Sequence, residues 1–320
     1  MKDERTLYIV VPCYKEEAVL PETAKRLKKK VQTLLAAGKI SDKSRVMFVN
    51  DGSRDRTWEI ISQLHEDEPK LFSGVNLARN RGHQNALLAG LMTAVNHADM
   101  VISMDADLQD DVDAVDAMVD AYHKGYDVVY GVRSSRKTDT FFKRFTAEGF
   151  YKLMKGLGVD IVFNHADYRL MSKRALEGLA EFGEVNLFLR GIVPQIGYPW
   201  TTVEYERHER FAGESKYPLK KMLAFAFDGI TSFSIKPMRL ILLLGVVVFA
   251  VSILMLLYAL ISKLSGGTTA GWTSMMGSIW LIGGIQLLSL GVIGEYIGKI
   301  YSETKRRPRF IIERVLNKTE

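Results

Sequence analysis

The chain of 320 residues has one cysteine, Cys13, which excludes an internal disulfide and fits a reducing compartment. The first apolar run is followed neither by a P-loop nor by a G-x-G-x-x-G segment, which disfavours an ordinary nucleoside triphosphatase and a Rossmann dehydrogenase. The sequence contains no RNA-binding signature, zinc-finger spacing or helix-turn-helix pattern, so its net charge of +6 predicts no nucleic-acid partner. The first residues are too acidic for a signal peptide, and we expect them to stay in the cytoplasm.

Charge is almost absent from residues 240–294, in which Lys263 is the only charged residue. A helix over Leu240–Ser262 would be about 34 Å long at about 1.5 Å per residue, which exceeds the roughly 30 Å hydrocarbon core of a bilayer. The run Met275–Gly294 is similar. Two adjacent uncharged spans of this length are unusual in a soluble core, so we predict a transmembrane hairpin.

Basic residues flank the two spans and predict how the hairpin is oriented. The segment 264–273 between the spans is short and uncharged, whereas cations precede the first span and follow the second: Lys220, Lys221, Lys236, Arg239, Lys299, Lys305, Arg306, Arg307 and Arg309. Cytoplasmic flanks carry the excess of Lys and Arg. We therefore expect a multi-pass protein of the inner (plasma) membrane, with its soluble part and both termini in the cytoplasm.

These boundaries divide the chain into four predicted regions. Residues 1–216 form a cytoplasmic domain, and residues 217–237 an interfacial helix, because lysines and aromatic residues are mixed there. Residues 238–298 hold the two transmembrane helices, and residues 299–320 a basic cytoplasmic tail. Glycines in the second span allow close helix packing, which favours a homo-oligomer.

The cytoplasmic part alternates short apolar runs with segments of helical composition. The runs are typical of buried parallel strands, because they are rich in β-branched residues. Strands are predicted at residues 6–13, 45–50, 72–77, 100–105 and 127–132, and helices at residues 16–37, 55–64, 84–95 and 112–123. This order predicts an α/β fold with a doubly wound, mostly parallel sheet, which binds ligands beyond the carboxyl ends of its strands.

Polar motifs follow the first four predicted strands, so we expect them at one edge of the sheet. Asp105 and Asp107 end the fourth strand, where side chains two apart share a face, and Gln109 adds an amide oxygen. Mg²⁺ and Mn²⁺ take oxygen ligands and are held by one or two carboxylates together with phosphates. The motif therefore predicts a divalent metal that stabilises charge on a leaving diphosphate.

Other polar residues at this edge have two interpretations. Asp51 can bind a ribose hydroxyl or a base N–H, but its segment can equally be a turn in which Ser53 or Asp55 caps the next helix. His83 and His165 are interpreted as hydrogen-bonding or packing residues, because no second His or Cys lies at metal-ligand spacing.

The same strand-end motifs resemble glycosyltransferase family 2. The resemblance rests on residues 10–17 (Val-Val-Pro-Cys-Tyr-Lys-Glu-Glu), 50–53 (Asn-Asp-Gly-Ser), 80–82 (Asn-Arg-Gly) and 105–109 (Asp-Ala-Asp-Leu-Gln). The two C-terminal spans narrow it to the polyprenyl-phosphate glycosyltransferases, the group of bactoprenol glucosyltransferase and dolichol-phosphate mannose synthase. It implies a GT-A fold, an inverting mechanism, and a uridine or guanosine diphosphate sugar as donor.

The resemblance also implies roles for individual residues. The implied metal ligands are Asp105, Asp107 and Gln109, and the implied nucleotide-sugar contacts are Pro12, Tyr14, Glu16, Asp51, Arg79, Gly82 and Asp105. Asp107 and Asp167 are the implied catalytic residues, and Asp167 lies in a segment that resembles the acceptor-side motif. A phosphate monoester has a second pKa near 6 and is largely ionised at neutral pH. We therefore expect Asp167 to orient the acceptor more than to act as a base.

Cations that precede the first span are candidates for binding the lipid phosphate. Residues 207–217 resemble the family's mobile loop and contain Arg210 and Lys216. Arg offers bidentate phosphate contacts and Lys a point charge. The alternative is that both are ordinary interfacial cations whose stems lie along the membrane surface. Arg133, after the fifth strand, is a further candidate.

Several functions stay open on the sequence alone. The first is transfer of glucose from UDP-glucose to undecaprenyl phosphate, which would give a lipid-linked donor for cell-envelope glycosylation. Transfer of N-acetylglucosamine or mannose to the same type of lipid is the second, and a non-enzymatic, membrane-anchored nucleotide-binding scaffold is the third. A processive polysaccharide synthase is disfavoured, because the chain has few spans and no Trp follows an Arg.

Overall fold

The computed structural model describes residues 5–134, 165–185, 187–206, 236–264 and 271–317. Arg210, Lys216 and nearly all of the predicted interfacial helix lie outside these residues. The chain divides into two compact units. The first holds every strand together with the shorter helices, and the second holds the two long C-terminal helices.

An eight-stranded mixed sheet forms the centre of the first unit, with the strand order β7-β5-β6-β4-β1-β2-β3-β8. The strands are β1 (Leu7–Cys13), β2 (Arg45–Asn50), β3 (Phe72–Leu77), β4 (Met100–Ser103), β5 (Val128–Arg133), β6 (His165–Ser172), β7 (Trp200–Tyr205) and β8 (Ile312–Leu316).

Within the described residues of the first unit, six helices accompany these strands, among them one very short helix that is followed by a 3₁₀ turn at Val193–Ile196. They are α1 (Leu20–Ala36), α2 (Thr57–Asp67), α3 (His83–Ala94), α4 (Ala114–His123), α5 (Lys173–Ala180) and α6 (Leu189–Ile192). The alternation of β1 to β5 with α1 to α4 confirms the predicted α/β fold.

The neighbours β4, β1, β2 and β3 run parallel and form the predicted half of the sheet. Every residue of β1 and β2 is buried, because helices cover both faces of a doubly wound sheet. This burial explains why the two strands are continuous apolar runs in the sequence. Their carboxyl ends lie at one edge of the sheet, which we call the rim.

Strand β6 reverses the direction of the sheet. It lies between β4 and β5 and is antiparallel to both, while β7 is parallel to β5. As a result, the carboxyl ends of β5 and β7 and the first residues of β6 also lie at the rim. The β4–β6 register ends with Ser103 opposite Arg169, and Asp105, two residues beyond the end of β4, lies with Asp167 around His83 at the rim.

Strand β8 was not predicted from the sequence. It pairs antiparallel with β3 at the edge of the sheet, within residues 299–320, which the sequence analysis describes as a tail. Its sequence, Ile-Glu-Arg-Val-Leu, is largely exposed and carries charges, as is common for edge strands. After its last long helix the chain therefore adds an edge strand to the sheet of the first unit.

The described part of the second unit comprises α7 (Lys236–Leu264) and α8 (Trp272–Lys305), which contain the two predicted spans. Within the spans apolar residues lie on all sides of each helix, and the large side chains described there are mostly exposed, as expected for helices surrounded by lipid. Among the described residues, Leu281–Lys305 is long and apolar enough to cross a membrane, with a mean hydropathy of 1.5 in its best window.

Helix α3 packs unusually closely on the parallel strands. Gly90 faces β1 and β2, where a Cβ would collide with the side chains of Val10 and Val49. The absence of a side chain at Gly90 therefore sets the distance between α3 and the sheet. This distance matters for the rim, because α3 begins there at His83.

We predict that Gly90→Ala destabilises the protein by about 1–3 kcal/mol, as overpacking of a core does. Differential scanning fluorimetry of the detergent-solubilised protein should show a thermal midpoint lowered by several degrees. Gly183→Ala is the matched control, because a Cβ there meets nothing within 4 Å. Equal midpoints for the two variants would contradict the packing of α3 described above.

Candidate active site

The rim brings together all the described residues that the sequence analysis assigned to a site. Pro12, Tyr14 and Glu16 follow or end β1, Asp51 follows β2, and Arg79 and Gly82 follow β3. Asp105, Asp107 and Gln109 follow β4, Arg133 ends β5, and Asp167 lies on β6. Whether each of these side chains contacts a ligand stays a prediction, and Arg210 and Lys216 lie outside the described residues.

The loop after β2 is held tightly against the loop after β3. Gly52 has a φ of +59°, and a Cβ there would collide with the backbone of Arg79 and Asn80. Asp51 is almost fully buried, and its two carboxylate oxygens accept hydrogen bonds from the backbone N–H groups of Arg81 (2.7 Å) and Gly82 (2.9 Å). The principal contacts of Asp51 in the structure are therefore with the protein's own loop.

The loop after β1 is joined to the loop after β2 by further hydrogen bonds. The Lys15 N–H donates to Ser53 Oγ (3.0 Å), and the Glu16 N–H donates to Thr57 Oγ1 (3.0 Å). Tyr14 is exposed at 46%, so its ring is available to a ligand. Asp55 accepts from the N–H and hydroxyl of Thr57, the first residue of α2. The N-cap residue of α2 is Arg56, whose side chain makes no capping hydrogen bond, so neither Ser53 nor Asp55 is the N-cap residue. Asp55 instead binds the first residue of the helix, and Ser53 binds the loop after β1.

The loop after β4 is shaped by a strained residue. Leu108 has a φ of +57°, in the left-handed region that costs a non-glycine residue roughly 1–2 kcal/mol. Its side chain is buried in the core, which offsets this cost. Thr23 Oγ1 of α1 donates to the Ala106 carbonyl (2.8 Å), so the loop is also fixed from the helix side.

Asp167 is held as an ion by two arginines. Arg169 donates to its Oδ1 (2.8 Å), and Arg190 donates to both carboxylate oxygens from Nε (3.3 Å) and Nη2 (3.1 Å). Burial alone would raise the pKa of Asp167, but Arg190 and Arg169 hold that pKa well below its usual range. The carboxylate is 12% exposed, so it is ionised yet reachable from the rim.

His83 lies between the two facing aspartates. Its Nε2 is 3.5 Å from Asp105 Oδ1 and 3.7 Å from Asp167 Oδ2. Partial burial raises the pKa of Asp105, as do the charges of Asp167 and Asp107, while His83 opposes the shift. The His83 ring thus lies between two carboxylates, at distances longer than an ordinary hydrogen bond.

A second polar cluster lies beside the β4 loop. Asp110 is 3% exposed, and its Oδ1 accepts a short hydrogen bond from the Tyr205 hydroxyl (2.5 Å). Arg133 Nε donates to the same hydroxyl (3.4 Å), and its Nη2 is 4.0 Å from Asp110 Oδ1. Burial and the Asp105 charge raise the pKa of Asp110 to about 6, against the effects of Tyr205 and Arg133.

The donor set at the rim fits a divalent cation only in part. Within the part of the chain that the structure describes, no group of three His, Cys, Asp or Glu side chains is arranged to hold a metal ion. Asp105 is 40% exposed and carries, with Asp107, the hard oxygen ligands that Mg²⁺ and Mn²⁺ prefer. Two carboxylates completed by diphosphate oxygens and water suit such a metal, so these residues fit a cation that arrives with its nucleotide.

Four residues of this edge received no role from the sequence: Asp110, Arg169, Arg190 and Tyr205. The position of His83 between Asp105 and Asp167 was not predicted either. Arg169 could have been identified from the sequence, because an arginine two residues from Asp167 on an extended strand shares its face. Arg190 and Tyr205 could not, since they reach the rim from α6 and β7, whose sequences carry no polar motif.

A doubly wound sheet that reverses at one strand, with two half-buried acidic side chains, Asp105 and Asp107, beside the reversal, has the architecture of a GT-A nucleotide-sugar enzyme. The family description "Glycosyl transferase family 2" matches residues 8–179. That match covers more than half of the chain, which therefore belongs to glycosyltransferase family 2. A second description, "GtrB C-terminal hairpin", matches residues 236–300 and confirms the transmembrane hairpin.

Similarity to curated proteins extends over nearly the whole chain. The uncharacterized glycosyltransferase YkoT of Bacillus subtilis is 54% identical over 98% of this chain and 92% of its own length. The prophage bactoprenol glucosyl transferase homolog of Escherichia coli is 38% identical, covering 96% and 98%. The bactoprenol glucosyl transferase of Shigella phage SfX is 39% identical, covering 95% and 98%. These similarities confirm a glycosyltransferase.

We predict that Asp51→Asn lowers stability even without nucleotide. An amide keeps one acceptor oxygen and places an N–H₂ group against a backbone N–H, which should cost about 1–3 kcal/mol. Asp55→Asn is the control, because Asp55 accepts both of its hydrogen bonds on a single oxygen. Thermal unfolding of the two ligand-free variants makes the comparison. If Asp51→Asn lost nucleotide affinity with an unchanged midpoint, Asp51 would act on the nucleotide directly.

Proposed function

We propose that this enzyme transfers glucose, with inversion, from UDP-glucose to a polyprenyl phosphate such as undecaprenyl phosphate. The observation that carries the proposal is the proximity of Asp105 to the arginine-held Asp167, because His83 Nε2 lies 3.5 Å from Asp105 Oδ1 and 3.7 Å from Asp167 Oδ2. A carboxylate suited to binding a metal ion, Asp105, and a carboxylate suited to the acceptor side, Asp167, therefore lie close together at the rim. The relatives named bactoprenol glucosyl transferase support glucose as the sugar and a polyprenyl phosphate as the acceptor.

The donor side uses the three loops after β1, β2 and β3, which their mutual hydrogen bonds keep rigid. Tyr14 and Arg79 are exposed there and suit contacts to the base and the phosphates. Asp105 and Asp107 would hold Mg²⁺ or Mn²⁺, with the Gln109 side chain as a further oxygen donor. When bound, the cation supplies electrostatic stabilisation of the leaving diphosphate.

On the acceptor side, cationic side chains bind the lipid phosphate, and no general base is required. In the reaction, a phosphate oxygen of the lipid attacks the anomeric carbon, the bond from that carbon to the diphosphate oxygen breaks, and UDP leaves with the electron pair. A phosphate monoester is already largely ionised near pH 7, so the step needs no proton acceptor. Asp167 keeps Arg190 and Arg169 in place. Arg133, together with Arg210 and Lys216 from the segment after β7, neutralises the charge of the incoming phosphate.

The reaction takes place at the cytoplasmic membrane face in this proposal. Basic residues on both sides of the hairpin support this orientation, because they favour the cytoplasmic leaflet. The hairpin keeps the catalytic domain close to a lipid acceptor that cannot leave the bilayer. A homo-oligomer formed through the glycine-rich second span is part of the same proposal.

We expect purified protein to convert undecaprenyl phosphate and labelled UDP-glucose into a lipid-linked glucose, which thin-layer chromatography and mass spectrometry identify. Chelation with EDTA should stop the reaction, and added Mn²⁺ or Mg²⁺ should restore it.

Asp107→Ala should lower the rate at least 100-fold, as loss of a charge-stabilising group does. Asp120→Ala is the control, since it removes only an exposed ion pair with Lys39. Product from UDP-N-acetylglucosamine or GDP-mannose alone would overturn the choice of sugar, and normal turnover by Asp107→Ala would overturn the role of the acidic pair.

The low pKa of Asp167 yields a further prediction. Its carboxylate stays ionised above pH 4, so the acidic limb of the kcat/KM profile should follow the lipid phosphate, with a midpoint near 6. Asp167→Asn should lower kcat/KM by about 10–100-fold through misplacement of its arginine partners, at every pH and without shifting that midpoint. Circular dichroism checks that the variant is folded. Recovery of its activity at higher pH, in parallel with acceptor ionisation, would contradict an orienting role.

A further inference from the structure

Tyr205 is the last residue of β7 and stands between a buried anion and a partly exposed cation. Its hydroxyl donates to Asp110 Oδ1 (2.5 Å) and accepts from Arg133 Nε (3.4 Å). Its backbone carbonyl accepts from the N–H (3.0 Å) and the hydroxyl (3.1 Å) of Ser134, so β5 and β7 are joined at this point. Packing against the Tyr168 ring fixes the orientation of the Tyr205 ring.

Asp110 depends on this hydroxyl. The residue is 3% exposed, and its other oxygen, Oδ2, is buried and has no hydrogen-bond partner within the described part of the chain. A buried carboxylate without donors carries a large desolvation cost. Among the described residues Arg133 forms an ion pair with Asp110, but its Nη2 is 4.0 Å from Oδ1, beyond hydrogen-bond distance. The Tyr205 hydroxyl thus donates the hydrogen bond that Asp110 would otherwise accept from Arg133.

The guanidinium of Arg133 is placed to bind an anion at the rim. Its side chain is 30% exposed at the carboxyl end of β5. A direct ion pair with Asp110 would bring the guanidinium inward by about 1 Å, to the roughly 2.8 Å of a charge-assisted hydrogen bond. Such a pair would compete with an incoming phosphate for the same N–H groups.

We propose that Tyr205 is a positioning residue for acceptor binding, whose hydroxyl keeps Arg133 from collapsing onto Asp110 and so presents the guanidinium to the lipid phosphate. This inference rests on the proposed function, because it takes the polyprenyl phosphate as the acceptor. Tyr205 itself contacts Asp110 and Arg133, and acts on the acceptor through Arg133.

Tyr205→Phe tests this role while keeping the aromatic packing. We expect the KM for undecaprenyl phosphate to rise about ten-fold or more, as for the loss of a charged hydrogen bond. The KM for UDP-glucose and the Mn²⁺ concentration for half activity should stay within about two-fold, because the loops after β1, β2 and β3 are untouched. Tyr168→Phe is the matched control: it removes a neighbouring hydroxyl that donates to the Asp111 carbonyl, and it should leave the acceptor KM unchanged.

A second variant separates positioning from simple structural damage. In Tyr205→Phe/Asp110→Asn the carboxylate that would capture Arg133 is gone, so the acceptor KM should return to within about three-fold of the wild-type value. Such non-additivity is the signature of coupled residues. A purely structural role for Tyr205 predicts the opposite, with a double variant as impaired as Tyr205→Phe or more so.

The outcomes are distinguishable from failure of the proposed function. If the wild type made no lipid-linked glucose from any polyprenyl phosphate, the proposed function would fall. If the wild type were active and Tyr205→Phe had a normal acceptor KM, or lost affinity for UDP-glucose instead, the assignment of Tyr205 would be overturned and the proposed function would stand.

Discussion

Two carboxylates, Asp105 after β4 and Asp167 on β6, lie close together at the rim, on either side of His83. Like charges this close repel each other. Here His83 lies between them, while Arg169 and Arg190 satisfy Asp167 and leave Asp105 beside Asp107. The two acids consequently differ in their environment: the pKa of Asp105 is raised and that of Asp167 is lowered. Asp105 is therefore suited to binding a cation, whereas the charge of Asp167 is already neutralised by its arginine partners.

The reversal at β6 is what makes this meeting possible. In a fully parallel sheet the residues that begin a strand lie at the opposite edge from those that end its neighbours. Because β6 runs antiparallel, its first residues lie at the rim, directly beside the residues that follow β4. The order of the strands therefore brings Asp167, which lies on a strand, close to Asp105, which lies in the loop after β4.

The parts of the fold that were predictable are those whose local pattern agrees with their burial. Strands β1 to β5 are apolar runs because helices cover both faces, and the predicted bounds differ from the observed ones by a few residues at most. Strand β6 contains His, Asp and Arg, β7 is half-exposed, and β8 is an exposed edge, so none of the three has the composition of a core strand. At the rim, residues within strand-end motifs were found, whereas Arg190 and Tyr205 were not, because long-range packing alone brings them there.

Strand β8 shows that the C-terminal segment supports the nucleotide side of the rim. Glu313 accepts from Asn76 Nδ2 (2.8 Å), and Asn76 Oδ1 accepts from Asn50 Nδ2 (2.7 Å). Since a carboxylate only accepts, Glu313 determines which way the Asn76 amide points, and Asn76 in turn orients Asn50. Asn50 Oδ1 accepts from the Ser53 N–H, and Ser53 Oγ from the Lys15 N–H, so the series reaches the loop that carries Tyr14. The residues after the hairpin thus contribute to the geometry of the donor loops, although they lie at the far end of the sequence.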